Sequence, residues 1–499
     1  MSINAGSAAG AKSPFQAPWS SYPASRLDPD GATAMPLLLI PAVVSAILLG
    51  GLVVFAELNA LAACVSLLAC LFVLRDFRLG VFFLIVLLPI SASPLVPRSM
   101  GGITGLNPLN LLLLGTVLPC LLQVPRAALA RMMPKSLVWL YLLPIVIAGL
   151  IGSRHINEIP ILSSLEDTLR YESAGSYLRD VLFKPMLLVV FAFLVAAATA
   201  QERDDRRLHN ATLIAVWAMG LMTVAFVAVS GVGLAQLAGD DAREFFAPLG
   251  MHANEMGRVY AVAYALMLFT FAETTDNRQR VILLLSLGLV VAALMLTFSR
   301  TAFLGFALVN IWFVLSRRSL KPTVLALLAL ALLLLALPEA VWERMGSGSG
   351  NGINSISAGR VETIWLPLVP DLLNNAIIGR GLESILWSEA LRNGSMMIVS
   401  HPHNAYLRAL LDMGVIGLLL LGAYYFTVWQ GFRQLGSDPR LSAPERGFYT
   451  GASVGLVSFL FAGTTGSNLT PCLEQVFLWL AIGMMYGRRQ RHQLRGPVQ

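Results

Sequence analysis

The sequence predicts an all-α polytopic membrane protein of about 12–14 transmembrane helices, with one large loop that carries short helices of its own. Three observations make that prediction. Hydrophobic residues form 56% of the 499-residue chain, charged residues 13%, and mean hydropathy is +0.71. A soluble chain of this length needs more charged surface. Apolar runs of roughly 17–25 residues, long enough to cross a bilayer as helices, recur along the whole chain. Short charged segments separate them, and the basic residues sit beside the runs, as membrane proteins place them. The sign of the formal net charge, +7, says little by itself; the placement of the basic residues beside the spans is the membrane pattern. No basic tract with interleaved aromatics marks a nucleic-acid surface, so nucleic acid is not an expected partner.

In chain order, residues 1–35 are rich in Ala, Ser, Pro and Gly and read as a disordered cytoplasmic tail. They do not read as a secretory signal peptide, because the apolar run begins late and no small-residue cleavage site follows it. Residues 36–337 form an N-terminal transmembrane bundle, with spans at 37–56, 58–74, 79–96, 106–124, 136–152, 181–200, 208–232, 258–272, 281–298, 301–315 and 324–337. Residues 338–404 form the large loop. Residues 405–486 hold the last spans, at 405–428, 447–463 and 473–486, and 487–499 form a basic cytoplasmic tail. Cys64, Cys70, Cys120 and Cys472 lie in or beside apolar runs without disulfide or metal spacing, and read as small buried hydrophobes. No cofactor is expected.

The basic residues fix the orientation. With the N-terminus in the cytoplasm, 22 of the 35 Lys and Arg fall in inside segments, which are also short. Both termini are then cytoplasmic. The long polar segments, 153–180, 233–257 and 338–404, face the periplasm, and long patterned loops tend to carry function. ATP is not available there, and neither a Walker A motif nor a dinucleotide fingerprint occurs. An energy-rich substrate must already be in the membrane.

Residues 400–421, SHPHNAYLRALLDMGVIGLLLL, are the most informative. His401 and His403 flank Pro402, which favours an extended or turn conformation. Asn404 is a good N-cap for a helix beginning at Ala405. His403 thus sits at a helix mouth, whose positive end favours neutral imidazole, the form a general base needs. The same end offers N–H groups to phosphate. A histidine that only orders loop hydrogen bonds is the plainer reading. In LTFSRTAFLGF, 296–306, Arg300 interrupts some 35 otherwise apolar residues, an expensive placement that usually serves function. Its turn puts it at the outer interface, where an anchor can snorkel. The large loop contains GSGSGNGINSIS, a flexible linker, and then 358–385, where Trp365, Leu366, Leu368 and Val369 predict an apolar face against the membrane surface. Arg360 precedes that face and Arg380 lies between Gly379 and Gly381. Guanidinium forks suit phosphate, although a loop arginine is more often simply solvated.

These segments together resemble the O-antigen ligase and O-antigen polymerase superfamily, bacterial membrane glycosyltransferases that use undecaprenyl-diphosphate-linked glycans. TFSRTAF resembles the family's Ser-Arg turn. GRVETIW with IIGRGLES resembles its periplasmic loop. HNAYLRALLDMGVIG, 403–417, has its His-Asn, nine residues, Gly-x-x-Gly spacing. The resemblance covers 297–420. It implies a metal-independent inner-membrane enzyme that moves a glycan from undecaprenyl diphosphate to a glycan or lipid A-core acceptor among membrane lipids. By that resemblance His403 activates the acceptor hydroxyl, and Arg300 and Arg360 hold the diphosphate as it leaves. His401 and Asn404 support His403. Arg380 and Arg392 compete with Arg360 for its place, and Arg154, Arg170, Arg179 and Lys184 on the first outer segment offer another expected phosphate contact. MHANEMGR resembles a family position where an outer loop re-enters the membrane, and its His252 and Arg258 are weaker candidates for the site. A ligase, a polymerase of repeat units and a protein glycosyltransferase share these features. A lipid-glycan flippase or transporter would instead show internal repeats and mid-membrane charges.

Overall fold

The computed structural model describes residues 71–93, 96, 99–100, 103–104, 107–160, 171–201, 205–237, 245–316, 357, 359–466 and 468–495. All lie within one compact unit, Ala63–Gln499. The predicted N-terminal tail, the span at 37–56, most of that at 58–74, the span at 324–337, the Gly/Ser linker except Ser357, and Arg170 fall outside the described residues. The regular structure is helical except for one two-residue antiparallel ladder, Ser99–Met100 with Ile103–Thr104.

The principal helices are α1 Phe77–Leu87, α2 Pro108–Gln123, α3 Arg126–Met132, α4 Leu143–Gly152, α5 Lys184–Gln201, α6 Arg206–Ser230, α7 Ala253–Glu273, α8 Asn277–Leu296 and α9 Arg300–Ser316. They continue with α10 Val369–Asn374, α11 Ala405–Gly436, α12 Ala443–Ala462 and α13 Val476–Arg495. Several start at side-chain caps visible in the sequence. Asp76, Asn107 and Asp276 each accept a backbone N–H from the first turn of α1, α2 and α8. Among the described residues five helical stretches are long and apolar enough to span a membrane, and a sixth is the pair α3 and 137–152, bent by 58° around Pro134. Helices α1, α2 and α9 are apolar but shorter, and three of the expected spans lie wholly or mostly outside the described residues.

Packing follows small residues. Helix α7 lies against α12 with the carbonyls of Phe269 and Ala265 where side chains of Gly447 and Gly451 would begin, so only glycine permits that approach. Helix α13 packs along α5. It runs on to Arg495, through most of the stretch expected as a basic tail. Arg488 and Arg491 share one helix face, and each places a nitrogen 2.7 Å from an oxygen of buried Asp205. Those ion pairs let the charged continuation remain packed inside the bundle.

Residues 359–404 are a folded piece with a core of Ile364, Leu368, Ile385, Leu386 and Trp387. They form a wide helical turn at Val361–Trp365, then α10, then single turns at Ser384–Trp387 and Glu389–Arg392.

Candidate functional site

The site is built where this folded loop meets the start of α11. Asn404 caps α11 as the sequence predicts, its side-chain oxygen accepting from Tyr406 N at 3.0 Å and Leu407 N at 3.1 Å. The preceding turn is held from above, because Trp365 Nε1 donates to the Pro402 carbonyl at 2.8 Å. His403 is thereby kept at φ +53°, in the left-handed region that side chains with a Cβ rarely enter. Among the described residues only Phe298, Glu383 and His403 share that conformation without being glycine. The first adjoins the Ser299-Arg300 turn and the second follows Gly379-Arg380-Gly381, so strain marks each motif segment.

The rings of His401 and His403 lie 4.1 Å apart, centre to centre. Burial, followed by the nearby His403, Arg408, Arg258 and Arg360, pushes the His401 imidazole down to about 3. His401 is thus neutral at neutral pH, and Ser400 Oγ lies 3.2 Å from its Nδ1. Arg360 Nη1 donates to the Thr465 carbonyl at 3.0 Å. Arg258 reaches the same turn, with Nη1 3.6 Å from where a Gly466 side chain would begin, and forms a buried ion pair with Glu474. His401, His403, Asn404, Arg360 and Arg258 are therefore brought together from three separate stretches of sequence.

The Arg300 turn lies beside the start of α7, since Ser299 Oγ donates to Asn254 Oδ1 at 2.7 Å. Arg300 itself opens α9, half-exposed, with no ion pair to another described residue. His252 serves as the N-cap of α7, its Nδ1 accepting from Asn254 N at 3.3 Å. Other expected phosphate contacts are placed differently. Arg380 is half-buried between carboxylates, 3.2 Å from Asp371 and 3.3 Å from Glu158. Arg392 lies 3.9 Å from the same Glu158 oxygen. Lys184 Nζ is 2.5 Å from Asp180, which also holds Arg179. The side chains of Arg380 and Lys184 thus lie against the fold's own carboxylates.

The motif glycines explain how the loop is fixed to α11. The helix breaks at Gly414, at φ 65° and ψ −172°. Two carbonyls before the break are taken by the loop, Leu411 by Arg380 N and Asp412 by Gly381 N, both at 2.9 Å. Two amides after it donate back, Val415 to the Ala376 carbonyl at 2.8 Å and Ile416 to that of Ile377 at 3.3 Å. A side chain at Gly379 would strike the Asp412 backbone, and one at Gly414 the Ile377 backbone. The interlock satisfies backbone groups that a broken helix would otherwise leave bare.

Two groups beside the site were not singled out from the sequence. Arg408, one turn into α11, lies 2.6 Å from Glu383 and 3.7 Å from Asp412, while Asp412 accepts from Ser384 N and Oγ at 3.0 and 2.8 Å. Opposite charges four residues apart in an apolar run were the available signal. Glu474 was the other, a lone carboxylate opening the last apolar stretch. Among the described residues no three His, Cys, Asp or Glu gather as metal ligands.

Residues 282–422 match the family model described as O-antigen ligase, a range that contains Arg300, Arg360 and the His403 helix start. That part of the chain is similar to the O-antigen ligase family. The chain is also 29% identical over 209 residues to a Pseudomonas aeruginosa protein named O-antigen ligase, an alignment covering 41% of this chain and 46% of that one. The chain thus spans about half the length of the curated relative it matches. The matched range ends at 422, inside α11, so it contains the whole interlock of loop and broken helix but not the Thr465–Gly466 turn or Glu474.

Proposed function

We propose that this protein transfers a glycan from an undecaprenyl-diphosphate carrier to an acceptor hydroxyl, lipid A-core or similar, at the periplasmic face of a bacterial inner membrane. The observation that carries this reading is the meeting of His401 and His403 with Arg360 and Arg258 at the mouth of α11, in a chain whose residues 282–422 match the O-antigen ligase family model. In the proposed reaction His403 takes the proton of the acceptor hydroxyl. The acceptor oxygen then bonds to the anomeric carbon as that carbon's bond to the diphosphate breaks. The electron pair leaves on the diphosphate, where Arg360 and Arg300 meet the added charge. Fixed cations aimed at charge that develops on a leaving group lower the barrier to its departure. Direct displacement inverts the anomeric centre. Neutral His401 supports His403 without adding a second positive charge, and Arg258 stays with Glu474 as part of the wall.

A radiolabelled undecaprenyl-diphosphate glycan, followed in membranes that contain a lipid A-core acceptor, tests the reading. Label should move to the lipid A-core with the native chain and stay on the carrier with His403→Ala. Longer carrier-linked glycan would mean a polymerase with the same donor and a different acceptor. No transfer with any acceptor would overturn the glycosyltransferase reading and favour a flippase.

A further inference from the structure

The large loop was expected to lay Trp365, Leu366, Leu368 and Val369 against a membrane surface, and the structure divides that set. Leu368 is fully buried and Trp365 holds the Pro402 turn, so both point inward. The apolar side chains that remain outside are Leu366, Val369, Leu373, Ile377 and Ile378, with Leu373 74% and Ile377 65% exposed. Such a patch on a loop in water is an aggregation hazard.

Two features identify what covers it. From 363 to 379 the only ionisable side chain is Asp371, and it is turned inward at 4% exposure, with Arg380 and the amide of Glu389 as partners. The outer face of this stretch therefore carries no charge. Its end is also joined to a spanning helix. The Ala376 and Ile377 carbonyls accept from Val415 and Ile416, whose side chains, with that of Leu419, are exposed on α11. α11 is long and apolar enough to cross a membrane, so that exposed face meets lipid. The loop's exposed Ile377 and Ile378 continue it without an intervening charge, and the uncharged amide of exposed Asn374 is the polar side chain that stands out among them.

We propose that residues 366–378 form a lip embedded in the lipid leaflet on the site's side, with acyl chains as the occupant of its outer face. The interlock at Gly414 satisfies the backbone groups that entry into lipid would otherwise leave bare at the break. Arg360 and the His401–His403 turn, on the protein side of the lip, then lie at headgroup depth. Under the reading above, that is where the diphosphate of a lipid-carried donor resides. The lip itself rests only on the membrane fold and stands independently of the reaction.

The test uses full-length protein with its native cysteines replaced, reconstituted in vesicles of phosphatidylethanolamine and phosphatidylglycerol. Single spin labels go on Leu373→Cys and Ile377→Cys, with Leu419→Cys as the lipid-facing control and exposed Asn393→Cys as the aqueous one. The expected result is an oxygen-to-nickel-chelate collision ratio at 373 and 377 that matches 419 and is severalfold above 393. Ratios equal to that at 393 would place the stretch in water and overturn the proposal. Shielding from both reagents would mean that protein, such as a second copy of the chain, covers the patch, and would overturn it equally. In the unmodified chain, a phospholipid with a diazirine in its acyl chain should crosslink within 366–378 and not at 393–395. The reverse pattern counts against the lip even if a cysteine variant fails to fold.

Discussion

At the scale of single residues, the proposed reaction depends on fixed charges and on one imidazole held in a strained turn. His403→Ala should abolish transfer while leaving the chain folded, measured by product formation and thermal unfolding on the same preparation. Arg360→Lys keeps the charge but loses the fork that reaches Thr465, and should slow turnover less than Arg360→Ala. The alanine variant should cost about 10²-fold or more in kcat, the scale of losing one donor to developing charge. Equal rates for native and Arg360→Ala protein would remove Arg360 from the reaction. His401 adds a pH signature. Its folded value lies near 3, below the ordinary 6.5, so between those limits the unfolded chain binds a proton that the folded chain does not. Stability from this group is complete above about 6.5 and is lost as pH falls toward 3. His401→Gln has no such proton to gain. Comparing its thermal unfolding with that of the native protein at pH 7.5 and 4.5, in one detergent, should show a smaller acid-induced loss in the variant. Parallel losses would mean His401 already titrates normally in the fold.

At the scale of elements, the join between the loop and α11 governs geometry. Gly381→Ala forces a residue at φ +94° and drives its methyl into the Gly152 backbone. It should destabilise the fold by more than the roughly 1–3 kcal/mol of backbone strain alone, seen as a lower Tm. Arg408→Met leaves half-buried Glu383 and buried Asp412 without their shared cation and should cost about 3 kcal/mol. Adding Glu383→Gln should recover part of that loss, and strict additivity of the two substitutions would mean the pair is not coupled. These same elements show what the sequence could and could not tell. Asn404, Ala405 and the helix they begin were legible because capping is decided within three residues. The Arg300 turn was legible because a charge in a long apolar run stands out. Arg380 was not, since one carboxylate that engages it, Glu158, is 222 residues away. Arg408 was hidden differently: its charge was visible, but its partner Glu383 sits in another segment 25 residues upstream. The inward turn of Leu368 was equally beyond local periodicity, because the loop's own core decides which apolar side chains face out.

At the scale of the whole molecule, the two ends of the bundle are held by different chemistry. The site end relies on backbone hydrogen bonds and a few ion pairs, the other on Arg488 and Arg491 around Asp205. Truncating the chain after Tyr486 removes both arginines and strands buried Asp205. It should lower folded yield in membranes, read by monodisperse elution, although no residue of the site is touched. An unchanged yield would show those pairs to be dispensable. The break in α11 bears on how freely this protein can vary. Its four cross-links use main-chain atoms alone, so they specify glycine at 379, 381 and 414 and leave most neighbouring letters open. Saturation mutagenesis should therefore give three narrow columns, with broad tolerance at 376, 377 and 415 for any residue that lipid accepts. Much of this join is written in glycines and shape, so a chain could change most of its side chains here and still close the same four main-chain links.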